Sequence, residues 1–212
     1  MTSVPIPVEP PELEARVLRV GSYLLSAAVA FFFVAFLFAF FYLRALDNNG
    51  LWGGGKRGHH VHPASTAGIV ILVCVLASVA LARRAGTALA AGWGALALGL
   101  AAVGVQCWQY AALGFGPGDG GYASVYLGWT GLQLVFVLGV AYWLETTLAT
   151  SIRYRASAGR TAGAEAAGDA DRETPDIHDP VSLIRPQLEA LSIYTQVFAG
   201  IVAVTWLILY VL

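Results

Sequence analysis

Five uninterrupted apolar stretches dominate this chain, over about 20–43, 66–82, 88–113, 122–149 and 188–212. A helix needs about 20 such residues to cross a hydrocarbon core roughly 30 Å thick. The second stretch is the shortest. Inside a bilayer every backbone N–H and C=O must be paired within the protein, which leaves only helices and closed barrels. The runs are continuous and do not alternate, so they read as helices. The expectation is an all-α membrane protein of five transmembrane helices. Composition points the same way: the chain is 58% apolar and 12% charged, where a soluble domain carries about 25% charged residues. A net charge of −1 lacks the basic excess that nucleic-acid binding requires. Cys74 and Cys107 are too few for a disulfide framework or a four-ligand zinc site. The first run is about twice the length of a signal-peptide core, and no A-x-A pattern follows it, so it reads as a span.

Basic residues set the expected orientation. With the N-terminus in the cytoplasm, Arg16, Arg19, Arg83, Arg84, Arg153, Arg155, Arg160, Arg172 and Arg185 lie inside. Only Arg44, Lys56 and Arg57 lie outside. Residues 1–19 then form a Pro-rich cytoplasmic segment, and 20–212 a single transmembrane domain with an external C-terminus. The ARRAGT turn makes the second and third helices an antiparallel hairpin, and GFGPGDGG is a Gly/Pro turn outside. Residues of about 156–180, rich in Ala, Gly and charge, read as a flexible cytoplasmic linker.

The spans lack chemical equipment. Inside their first and last turns, helices one, two, three and five contain no Asp, Glu, Lys, Arg or His, and helix four has only Glu145, near its cytoplasmic end. All four histidines, His59, His60, His62 and His178, fall in loops. Haem iron and copper need His, Cys or Met ligands, so the chain alone is expected to hold no intramembrane redox centre, cofactor or metal. Pumps and proton relays place acids or histidines inside the bundle. What remains is a scaffold that packs against other membrane chains, a carrier for an uncharged solute, or a membrane anchor or assembly factor. Gln106, Gln109 and Gln133 are polar groups within spans, read either as hydrogen-bonding glue between helices or as contacts to a ligand or lipid headgroup. Glu145 is an interfacial charge or a proton carrier. The histidine loop is solvated or binds a metal. Gly94, Ala97, Ala101 and Gly104, three or four apart, form a small-residue face that another helix can approach closely.

One stretch is more specific. Residues 106–133 read QCWQY, then GFGPGDGGYASVY, then LGWTGLQ. This resembles subunit III of the haem–copper oxidases of the cytochrome c oxidase type. That family carries Q-x-x-E-Y near the end of one helix, D-G-x-Y-G-S-x-F opening the next, and then T-G-x-H. Gln106 and Tyr110 match the first element, with Gln109 where the glutamate would stand. Asp119, Gly120, Tyr122 and Ser124 match the second, with Tyr126 close to its aromatic. Thr130 and Gly131 match the third, with Gln133 at the histidine position. FAFFYLR with Trp52, and Trp206 within VTWLILYVL, resemble further family segments. The family's membrane glutamate has no counterpart at Ser26-Ala27-Ala28, and two of its histidines fall at Phe136 and Gly200. Proton-antenna roles therefore do not carry over.

The resemblance implies a divergent, five-helix bacterial form in the plasma membrane. Its helices would make a V, one and two as one arm and three to five as the other, with phospholipid in the cleft. It implies a non-catalytic subunit packed against the haem-carrying subunit I, beside subunit II and a subunit IV, in a complex that reduces oxygen and pumps protons. Haem and copper would belong to those partners. The alternatives are a similar accessory protein of a nitric oxide reductase and a small transporter for an uncharged solute.

Overall fold

The computed structural model describes residues 11–47, 50, 52, 63–85, 88–166 and 180–212. The described residues are all-helical, and five helices are long and apolar enough to cross a membrane. The protein is a multi-pass, all-α membrane protein. In chain order the helices are α1 (Pro11–Ala45), α2 (Ser65–Ala82), α3 (Leu89–Ala112), α4 (Gly121–Ala166) and α5 (Pro180–Tyr210). They alternate in direction. One end of the bundle carries Arg16, Arg19, Arg83, Arg84 and Arg153 (the arginine end), and the other carries the 113–120 turn (the glycine-turn end).

Helix lengths follow from local chemistry. Both α1 and α5 open on a proline, whose missing N–H and fixed φ suit the first helical position. The 18 residues of α2 rise about 27 Å, just enough for the core. The apolar part of α4 ends at Arg153, yet the helix runs on to Ala166. This corrects the first part of the expected 156–180 linker; residues 167–179 lie outside the described residues. Ala, Arg and Glu in ASAGRTAGAEA are good helix formers. A segment continuing an existing helix also avoids the nucleation cost.

The expected V is corrected as well. α1 packs extensively on α5 and α4, while α2 packs on α3 and α5, so helices one and two do not form a shared arm. Small residues and short side-chain bonds explain the choice. On α3, Ala95 and Gly99 are buried against α2, and Ser78 Oγ donates to the Ala95 carbonyl at 2.6 Å. On α1, Ser22 Oγ donates to the Ala190 carbonyl of α5 at 2.6 Å, and Arg19 pairs with Glu189 at 3.2 Å on the exposed arginine end. The phenylalanines of α1 divide between two environments. Phe33 and Phe40 are buried, whereas Phe31, Phe32, Phe38 and Phe41 face outward. Phe33 meets Trp129, Phe136 and Phe198 with ring centroids 5.9–6.4 Å apart.

Candidate functional site

The residues singled out in the sequence gather at the glycine-turn end in two connected pieces. The first is the turn itself. The Asp119 carboxylate accepts from the Gly116 N–H at 2.6 Å, and the Asp119 N–H bonds the Gly116 carbonyl at 3.1 Å. Gly120 has φ +140°, a backbone conformation that side chains with a Cβ rarely adopt. Ser124 Oγ shares its one proton between the carbonyls of Pro117 and Gly120, which ties the turn to the first turn of α4. Tyr122 reaches away from it. Its N–H bonds the Trp52 carbonyl, and its hydroxyl donates to the Leu209 carbonyl of α5. The spacing of Asp119, Gly120, Tyr122 and Ser124 thus closes one tight turn and anchors it to a neighbouring helix.

The second piece is a polar cluster between α2, α3, α4 and α5. Gln106 lies six residues before the end of α3, so about 9 Å below that end at 1.5 Å per residue. Gln109 Nε2 donates to the Ala64 carbonyl at the start of α2, 3.3 Å away. Gln109 Oε1 accepts from the Tyr210 hydroxyl at 3.2 Å and from Gln106 Nε2 at 3.5 Å. The Tyr210 and Tyr126 hydroxyls are 3.0 Å apart. Each phenol has one proton; Tyr210 gives its proton to Gln109, so Tyr126 is the donor to Tyr210. Tyr110 donates to Thr130 Oγ1 at 2.8 Å, and Thr130 in turn to the Tyr126 carbonyl at 2.6 Å. Trp129 Nε1 donates to Thr205 Oγ1 at 2.9 Å.

Of the sequence-derived residues, Gln106, Gln109, Tyr110, Thr130, Gln133 and Trp206 all belong to this cluster or line its small cavities. Glycine at 131 answers no steric demand among the described residues, since a Cβ there would lie 3.9 Å from the Tyr110 hydroxyl, an ordinary contact. The sequence assigned no role to Gly68, Trp129 or Thr205, and gave Tyr126 and Tyr210 only a place in family-like segments. A Cβ on Gly68 would sit 2.7 Å from the Tyr210 ring, so this glycine makes room for the phenol. The signal for it was weak, a glycine in an apolar run with nothing to name its partner.

The small-residue face of α3 points mostly away from the rest of the bundle. Gly94 is half-buried against Leu81, 3.2 Å from where its Cβ would be. Ala97, Ala101 and Gly104 are exposed, and nothing lies within 4 Å of a Cβ on Gly104. Within the chain, α3 instead buries Gly92, Ala95, Gly99 and Ala102. Both sets have helical spacing, and the second carries Gln106 and Gln109 on the same buried face, where their amides find partners. Glu145 is exposed. Cys74 and Cys107 are free thiols, half-buried and exposed. Among the described residues no three of His, Cys, Asp and Glu come together; all four histidines lie outside the described residues. An apolar cleft of about 30 Å³ lies among Val75, Ala95, Val137 and Leu144.

The three amides are not equivalent. Gln109 holds bonds to α2, to α5 and to Gln106, whereas Gln133 Oε1 is buried with no partner. Gln109→Leu is therefore expected to lower the unfolding free energy by about 1–2 kcal/mol, since interhelical hydrogen bonds in membranes are worth about 0.6–2 kcal/mol each. Gln133→Leu is expected to cost less than half of that. Denaturant titration in detergent measures both, and equal losses would contradict the ranking.

No protein-family model matches the chain, and no curated protein matches it.

Proposed function

We propose that this chain is a subunit III-like, non-catalytic membrane subunit of a bacterial respiratory haem–copper oxidase. On this reading it sits in the plasma membrane with its N-terminus in the cytoplasm. It packs beside the haem-carrying subunit I, next to subunit II and a subunit IV, and holds phospholipid. Oxygen reduction and proton pumping belong to those partners, which carry the haem and copper. One observation supports the reading above the rest. Residues picked out by resemblance from α3, the 113–120 turn, α4 and α5 converge on one turn and one polar cluster.

Purification of the native assembly in mild detergent tests it. Co-elution with haem-bearing chains, a haem spectrum in the visible range and oxygen uptake are the expected results. Nitric oxide consumption without oxygen uptake would move the chain to a nitric oxide reductase. A partner-free oligomer that transports a neutral solute would refute the proposal.

The outward face of Ala97, Ala101 and Gly104 gives a narrower test. The first carbon of a side chain at 104 meets nothing within 4 Å among the described residues and position 104 is exposed, so Gly104→Leu is expected to leave the isolated chain's unfolding temperature unchanged. Large side chains block close approach between membrane helices, so the yield of the assembled complex is expected to fall several-fold. Normal assembly would show that subunit I docks elsewhere.

A further inference from the structure

Among the described residues two side-chain polar atoms are buried and have no hydrogen-bonding partner: Gln133 Oε1 on α4 and Trp206 Nε1 on α5. One is an acceptor and the other a donor. Gln133 is only 6% exposed. Both side chains line the same cavity of about 10 Å³, together with Gln106, Thr130 and Thr205. A second cavity of about 10 Å³ shares the walls Ile71, Gln106, Thr130 and Gln133. One water needs about 10–15 Å³ and two to four polar partners, and buried polar cavities are hydrated where apolar ones stay dry. An organic solute does not fit this volume.

We propose that the cavity between α4 and α5 is an internal water site, in which one water donates to Gln133 Oε1 and accepts from the Trp206 indole N–H. The second proton of that water has an acceptor in the same wall. Thr130 and Thr205 already donate their hydroxyl protons to the carbonyls of Tyr126 and Ile201 and accept once each, from Tyr110 and Trp129, which leaves each one acceptor lone pair. The site joins two helices through residues that make no direct bond to each other, and it satisfies both orphaned groups at once. It stands independently of any oxidase role. The apolar cleft nearer the arginine end makes a useful contrast. It is larger, about 30 Å³, but the hydroxyls that line it, Ser78 and Thr195, already donate to backbone carbonyls.

Two spectra of the full chain in detergent micelles test this. The ultraviolet resonance Raman difference between the native protein and Trp206→Phe isolates one indole. It is expected to report a hydrogen-bonded N–H in the native protein, and a free one in Gln133→Leu. The infrared spectrum in H2¹⁸O is expected to contain an isotope-sensitive internal-water O–H band that Gln133→Leu removes. A free indole N–H in the native protein means a dry cavity and overturns the proposal. So does a bonded N–H with no isotope-sensitive band, which would mean a direct contact between the two side chains. A bonded N–H unchanged by Gln133→Leu would place the partner elsewhere and overturn it too. Should Gln133→Leu fail to fold, the native and Trp206→Phe spectra decide between wet and dry without it.

Discussion

Trp129→Ala is expected to lower the unfolding free energy by about 3 kcal/mol, the lower end of the range for deleting a large buried aromatic, because the transfer part of that range is small in lipid. Trp129 is 1% exposed, the largest of the fully buried side chains. Its ring meets Phe33 of α1 at 6.4 Å and Phe36 at 6.1 Å between centroids. Its indole N–H donates to Thr205 of α5. One side chain of α4 therefore touches two rings of α1 in tilted contacts and bonds α5 through its N–H, and alanine would leave a void between three helices. Lipid tails are as apolar as the core, so transfer contributes little here; the loss comes from close-packed contacts that nothing replaces. Trp108, 63% exposed on α3, is the matching control, and Trp108→Ala is expected to stay within about 0.5 kcal/mol. Denaturant titration in detergent measures both. Similar losses for the two variants would mean that Trp129 is not the keystone its burial indicates.

Gly68→Val is expected to cost about 1–3 kcal/mol through overpacking. The first carbon of any side chain there would lie 2.7 Å from Cε1 and Cζ of Tyr210, well inside van der Waals contact. Tyr210 would have to swing out, and its hydroxyl would leave both Gln109 and Tyr126. The effect belongs to a pair, which makes it testable by a double-mutant cycle. In a Tyr210→Ala background, Gly68→Val is expected to cost under about 0.5 kcal/mol, because the obstructing ring is gone. Fully additive losses would show that the two residues do not share the site.

The polar cluster was only partly legible beforehand. Gln106, Gln109 and Tyr110 stand out because amides and phenols are rare in a run otherwise made of Ala, Gly, Leu and Val. Asp119 and Gly120 stand out only through the resemblance; the carboxylate's bond to the Gly116 N–H and the positive φ at Gly120 appear in the structure. Tyr210 and Thr205 did not stand out, since a tyrosine near a membrane–water interface and a threonine in a span are both ordinary. What distinguishes them is a neighbour 101 or 76 residues away in the chain. No local pattern encodes that distance.

The division runs through the whole molecule. Number, type and approximate length of the spans are set by the chain alone, because hydrocarbon forces each segment to satisfy its own backbone. That requirement is local, and 18 residues of α2 meet it as surely as 33 of α4. Which face of each helix turns inward was decided only by packing. A helix in lipid is apolar on both its buried and its exposed side, so the contrast that orients a soluble helix is absent. That is why Ala97, Ala101 and Gly104 of α3 look as fit to be buried as Gly92, Ala95 and Gly99. It is also why α1 rests on α4 and α5 rather than beside α2. Ser22 and Ser78 bonding to carbonyls of other helices, and a tyrosine fitting over a glycine, select among arrangements that hydropathy leaves equal.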